Sequence, residues 1–267
     1  MIQWAYWQEG AMLLEEYDDS REAVINPEMF KERKEDFPKV CVAFFSHKLI
    51  GKIEERFKPE IIGDCCNATN DFPIYKIKVD GVYIAVYLAC VGAAASVGQM
   101  EEVIAYGAEK FLFVGSCGCL DAEIEDYSII IPTEALRDEG TSYHYLPASD
   151  KVELDDSIIS AVEKTMKELG INYRKGTAWT TDGVFRETAN KVKRRKEQGA
   201  ITVDMECSAL ASVAKFRGVK MGQFFYAADN LGGEEYEPRS LISSDLGEKE
   251  KVIGIAFECV KEIAKIK

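Results

Sequence analysis

The chain has 267 residues, 47% hydrophobic and 30% charged, with 46 acidic against 33 basic side chains and a formal net charge of −13. That length suits one large α/β domain with a core of its own, and the charge excludes a nucleic-acid or anionic-membrane surface as partner, since either wants a basic face. Eight cysteines spread through apolar segments, no C-x-x-C pair, no basic-then-apolar leader and no apolar run long enough to span a bilayer lead us to expect a reduced, cytoplasmic protein with no metal site.

Residues 1–38 stand apart. Trp4, Tyr6, Trp7 and Tyr17 are interleaved with acids, Asn26-Pro27 marks a turn, and Lys31 to Asp36 is wholly charged. This stretch reads as an N-terminal arm that packs its aromatics on the body or on a neighbouring subunit, ahead of a domain at 39–267. From Val40 onward, short apolar runs alternate with amphipathic helices. Val40–Phe45 is a buried strand, and Ser46 caps a helix running to about Phe57. Ile74–Val79 and Val82–Ala89 are strands joined at Asp80-Gly81, a two-residue hairpin signal. Gly92 to Ser96 is a small-residue loop that leads into a helix ending near Tyr106.

Lys110–Gly115 is a central strand that ends in Gly115-Ser116-Cys117-Gly118. Tyr127–Thr133 is another strand, Arg137 to Tyr145 a polar loop, and Asp155 or Asp156 caps a helix to about Leu169. Tyr173–Thr180 is a strand and Thr188–Gln198 a helix whose basic cluster, Lys191 to Lys196, reads as a solvated face flanked by Glu187 and Glu197. Met205–Phe216 is a helix, Val219–Ala227 a strand, and a long amphipathic helix from about Leu246 to Ile266 closes the chain. Mixing an antiparallel hairpin with βα units predicts a mixed sheet.

Two kinds of feature carry chemistry. Strand–small residue–helix junctions near Ser46, Gly92 and Ser116 aim loop or helix N-terminal amides at a sheet edge, which captures an anion without a basic surface. None is a dinucleotide or nucleoside-triphosphate loop. The second feature is Val203-Asp204-Met205-Glu206-Cys207-Ser208-Ala209-Leu210, two acids and a methionine at the mouth of an apolar helix, followed by Asp229 at the end of the next apolar strand. Strand ends are where ligands bind in α/β sheets, and carboxylates there can hold sugar hydroxyls and protonate a leaving group.

Phe111-Leu112-Phe113-Val114-Gly115-Ser116-Cys117-Gly118-Cys119-Leu120, Arg137 through Pro147, Thr181-Asp182-Gly183-Val184-Phe185 and Val203-Asp204-Met205-Glu206 together resemble the nucleoside phosphorylase family, which includes the purine nucleoside and uridine phosphorylases and the adenosylhomocysteine nucleosidases. The resemblance runs from about Val40 to the C-terminus. It implies an α/β fold with a mixed, twisted, partly barrel-like central sheet flanked by helices, assembled as a homo-oligomer, dimer or hexamer. It also implies cleavage of a nucleoside N-glycosidic bond through an oxocarbenium-like transition state, with no cofactor and with phosphate as co-substrate. Such a state wants negative charge beside the ribose and a hold on its hydroxyls. Glu206 takes the family's ribose-binding position, with Met205 against the sugar and Asp204 as partner. Asp229 matches the acid that purine-acting members set opposite the base, and Val184 and Phe185 fall on the base-stacking segment.

The phosphate half of the family pattern departs here. The loop that carries a Gly-Asp-x-x-Arg motif in phosphorylases reads Phe45-Ser46-His47-Lys48-Leu49, and the second arginine position is Phe113. Ser116, Gly92, His47 and Lys48 are then the candidate anion ligands. Phosphorolysis of a purine or purine-like nucleoside is the expectation. Phosphate-independent hydrolysis, and nucleoside binding without turnover, are the alternatives.

Overall fold

Five successive buried residues make strand β1 (Val40–Phe44), and the Ser46 side chain accepts the Leu49 amide to start helix α1 (His47–Phe57). In this computed structural model, residues 12–242 and 246–267 are described, so Trp4, Tyr6 and Trp7 of the arm lie outside the described residues. The chain continues through β2 (Glu60–Asn67), β3 (Asn70–Val79), β4 (Val82–Leu88), α2 (Ala93–Tyr106), β5 (Lys110–Cys119) and β6 (Ile129–Asp138). It then forms β7 (Lys151–Glu153), α3 (Asp156–Glu168), β8 (Tyr173–Thr181), α4 (Ala189–Glu197), β9 (Ala200–Asp204), α5 (Cys207–Arg217), β10 (Lys220–Asn230) and α6 (Gly247–Ile263).

The sheet is mixed, as expected. β1 lies between β4 and β5, parallel to both, and β4, β3 and β2 form an antiparallel meander out to the edge. On the other side β5 pairs in parallel with β10 and antiparallel with β9. β10, β6, β8 and β9 are linked in that order, so β5 closes a five-stranded, barrel-like ring. Helices cover both faces. α6 packs with α1 and α3, and sets Phe257 edge-on against Phe44, while α2 packs with α5.

Unequal strand lengths create the site. β1 stops at Phe44, level with Leu88 of β4 and Val114 of β5, whereas β5 continues to Cys119 with β10 alongside it to Asn230. The overhang turns residues 115–119 and 225–230 into a wall above the ends of β1 and β4.

Several elements differ from the sequence expectation. Gly115-Ser116-Cys117-Gly118 is not a turn before a helix but the second half of β5, with Ser116 paired to Tyr226. Its glycines serve close approach: a Cβ on Gly115 would stand 2.9 Å from the Phe45 ring, and one on Gly118 would stand 2.7 Å from Leu231. β6 runs to Asp138, so Arg137 belongs to a strand, and the edge strands β2 and β7 and the short β9 were not foreseen. β2 is mostly exposed and carries a bulge between Ile61 and Gly63, which removes the apolar alternation that marks a strand. The Asp80-Gly81 hairpin is present, with both residues at positive φ.

The described part of the arm is fastened chiefly by cations. Lys31, 7% exposed, pairs with Asp64 at 3.0 Å and Glu102 at 3.2 Å, and Arg21 sits 4.5 Å over the Phe216 ring. Phe37 stacks on Tyr106 at 5.4 Å.

Candidate active site

Glu206 lies where β9 hands over to α5 and is buried. One of its carboxylate oxygens accepts the Gly92 amide at 2.5 Å, which joins the α2 entry loop to the mouth of α5. Gly92 is the N-cap of α2 at φ +98°, a conformation that costs a side-chain-bearing residue strain. Burial, and then the nearby Asp204 charge, push the Glu206 carboxyl well above the usual carboxylate range, while the Gly92 and Met205 amides pull it back. Met205 is half-buried between the two acids.

Asp204 is differently employed. Its Oδ2 accepts the Glu206 amide at 3.0 Å and the Cys207 amide at 2.7 Å, and its Oδ1 accepts the Thr180 hydroxyl at 2.7 Å. Its carboxylate therefore faces the backbone of α5 rather than the cleft, which differs from the expectation that it partners Glu206 on the sugar. Burial raises its pKa, opposed by these donors. Behind it, Glu139 accepts the Ser208 hydroxyl at 2.8 Å and the Ser142 amide at 2.9 Å, which ties the 139–145 segment to the same turn.

Asp229 lies within β10, not after it, level with Gly118 on β5. Residue Asp229 is 9% exposed, and one oxygen would stand 3.3 Å from a Cβ on Gly118. Burial raises its carboxyl, partly offset by a hydrogen bond with the Tyr236 hydroxyl and by the Arg239 charge. Glu206 and Asp229 thus flank the overhanging end of β5, one on the strand ring's β9 corner and the other on β10.

The remaining candidates are less closely gathered. Ser116 is half-buried on β5 and shares a hydrogen bond with the Tyr226 hydroxyl. His47 and Lys48 are exposed in the first turn of α1, beyond the end of β1. Phe113 is fully buried and stacks with Phe45 at 6.0 Å, so the position aligned with the family's second arginine belongs to the core. Val184 and Phe185 form a single 3-10 turn after β8, 46% and 95% exposed, and no other part of the described chain covers the Phe185 ring.

Sequence reasoning missed Thr180, Glu139, Tyr236 and Glu187. Glu187 follows the 184–186 turn directly, and its position between an aromatic turn and the Thr188 cap of α4 was the available signal. Burial and the Asp229 charge push Glu187 up to about 7 from an ordinary 4.5, with Lys191 opposing. The fold thus favours its protonated form. Its stabilising contribution is complete below about pH 4.5 and is lost as pH rises through about 7. Glu187→Gln is therefore expected to gain roughly 1–2 kcal/mol over the parent at pH 8, after discounting for partial exposure, and nothing near pH 4.5. Urea denaturation at the two pH values checks this, and an equal change at both would contradict it.

Comparison with known proteins follows the same lines. The model of the phosphorylase superfamily matches residues 39–265. A guanosine phosphorylase of Halorubrum lacusprofundi is 23% identical over 180 residues, covering 64% of this chain and 73% of its own. A uridine phosphorylase of Thermococcus kodakarensis is 28% identical over 201 residues, 70% of each chain. A DeoD-type purine nucleoside phosphorylase of Bacillus cereus is 27% identical over 142 residues, 51% of this chain and 58% of its own. Among solved structures, a uridine phosphorylase from Vibrio fischeri superposes with a TM-score of 0.71 at 16% identity, covering 88% of this chain and 95% of that one, and so shares the fold.

Proposed function

The chain belongs to the phosphorylase superfamily, and from that premise we propose that it cleaves the N-glycosidic bond of a purine or purine-like nucleoside and passes the ribosyl group to inorganic phosphate. The observation that carries this reading is the pair of buried carboxylates, Glu206 and Asp229, on either side of the overhanging end of β5. Binding alone needs no protonatable acid opposite a base, so the pair speaks against a relative that only binds nucleosides.

In the proposed reaction the C1′–N bond lengthens and its electron pair moves onto the base. Asp229, held toward its protonated form by burial, donates a proton to the base nitrogen that gains density. The ribosyl group becomes oxocarbenium-like, and Glu206 accepts its 2′ and 3′ hydroxyls while placing negative charge beside the cation. Hydroxyl donors favour the ionised carboxylate, so sugar binding works against the raised pKa of the unliganded site. A phosphate oxygen then attacks C1′. Ser116 and the first amides of α1, with His47 and Lys48, are the proposed anion contacts, and Met205 packs on the sugar. Val184 and Phe185, with Glu187 beside them, border the base.

Hydrolysis is the second reading. The stacked Phe45 and Phe113 favour it, since they make the expected anion side apolar and no small group replaces arginine's bidentate fork. We also propose assembly as a homo-oligomer, which would cover exposed apolar residues around the cleft such as Val91, Phe185, Tyr236 and Ile242.

The test is base release from guanosine, inosine, adenosine and uridine, each with phosphate present. Purine release exceeding uracil release at least about a hundredfold is expected, the lower end of what one productive acid–base contact gives. Preferential release of uracil would overturn the purine reading, and release from none would overturn the enzymatic one.

A further inference from the structure

Helix α5 begins in an unusual way, and the consequence falls on the ribose carboxylate. The N-cap residue is Glu206 itself, at a position where a shorter Ser, Thr, Asp or Asn ordinarily accepts the first free amides of its own helix. Here it makes no such bond. The amides are satisfied by others. Asp204 takes the Glu206 and Cys207 amides at 3.0 and 2.7 Å, and the Thr180 hydroxyl oxygen takes the Ser208 amide at 3.0 Å while donating its proton to Asp204 at 2.7 Å. With its helix capped from outside, Glu206 turns across the cleft and meets Gly92.

We propose that Asp204 and Thr180 are positioning residues: they act as surrogate caps for α5 and thereby free the Glu206 carboxylate to face the sugar. Both Asp204 oxygens already accept protein donors, two amides on Oδ2 and the Thr180 hydroxyl on Oδ1. Thr180 fits the task because one hydroxyl must donate and accept at once, which Val, its isostere, can do in neither sense. Ser208 adds a link, since its hydroxyl bonds Glu139, and Glu139 holds the Ser142 amide. The 139–145 segment and the ribose carboxylate are therefore anchored to one turn. The proposal rests on Glu206 being the ribose ligand, but its test is made on the unliganded protein and needs no turnover.

The charged groups that bear on Glu206 are Asp204 at the end of β9 and Asp182 just after β8, with the Gly92 and Met205 amides as opposing dipoles, while Glu139 bears on Asp204 from behind. Asp204→Asn keeps an acceptor for the α5 amides and removes the nearest negative charge. The carbon-13 carboxyl resonance of Glu206 and the Gly92 amide proton are followed against pH in the parent protein, Asp204→Asn, Thr180→Val and Thr180→Ser. In the parent the Gly92 amide is expected to move with the Glu206 titration. Asp204→Asn should lower the Glu206 midpoint by about one pH unit or more, the scale of one adjacent charge in a buried site. Thr180→Val should uncouple the Gly92 amide from that titration, and Thr180→Ser should restore it.

An unchanged Glu206 midpoint in Asp204→Asn, or an intact Gly92 response in Thr180→Val, would overturn the proposal. If Asp204→Asn does not fold, the Thr180 pair decides alone. A parent protein that releases no base from any nucleoside would defeat the functional reading while leaving these titrations to stand or fall by themselves.

Discussion

Asp229→Asn is expected to lower kcat for a purine nucleoside about 10²–10³-fold while KM shifts by less than about threefold. Asparagine keeps the shape and a hydrogen-bonding oxygen, so ground-state contacts survive, but it has no proton to give to the departing base. The site favours the acid form because Asp229 sits near the far end of the β10 overhang against Gly118, where burial outweighs the Tyr236 hydroxyl and the Arg239 charge. Two controls separate catalysis from structure. A nucleoside whose base leaves without protonation should be nearly indifferent to the substitution, and the parent's rate should decline at high pH as Asp229 ionises, a limb absent from the variant. Equal, modest losses in kcat and 1/KM for all substrates would show that Asp229 only shapes the pocket.

Glu206→Gln is expected to lower kcat/KM about 10²–10³-fold, with most of the loss in kcat. The amide retains one acceptor for a ribose hydroxyl and for the Gly92 amide, but it removes the negative charge beside the forming cation. That charge matters most where positive charge develops, so the loss is concentrated in the transition state. A 2′-deoxynucleoside compared with its ribonucleoside gives a second readout. The parent should prefer the ribonucleoside, and the variant should lose most of that preference. Stability is expected to hold, because removing a buried carboxylate whose pKa is raised relieves a desolvation cost. Unchanged sugar preference in a folded variant would place the ribose elsewhere.

Much of this arrangement is legible in the sequence. Apolar runs such as those read at Val40–Phe45 and Val219–Ala227, with Ser46 as a cap, mark the α/β alternation and correspond to β1, β10 and the start of α1. The Asp204–Glu206 segment stands out because three polar or soft side chains interrupt an apolar stretch where a helix begins. What could not be read is pairing and side-chain direction. Gly115 and Gly118 have the composition of a turn, and only the third dimension shows Phe45, Val203 and Leu231 crowding them into a strand.

The same limit applies to the two neighbouring acids. Asp204 and Glu206 look equivalent in sequence, yet the first points into the backbone of α5 and the second out to Gly92. Thr180, twenty-odd residues upstream, donates its hydroxyl to Asp204 across the β8–β9 pair, a contact that the sequence alone does not display. Glu187 was overlooked for a related reason. Its importance comes from its proximity to Asp229 on another strand and not from its neighbours in the chain. The short strand β9 escaped notice because five residues leading into a helix carry too little alternation to be separated from it.

In the proposed reaction the ribosyl group leaves the base and is taken by phosphate. The direct measurement is mass spectrometry of the sugar product formed from a purine nucleoside in heavy-oxygen water, with and without phosphate. Phosphorolysis gives ribose 1-phosphate whose anomeric oxygen is unlabelled, and no base release when phosphate is left out. Free ribose carrying the heavy isotope at C1, formed at the same rate without phosphate, would contradict it.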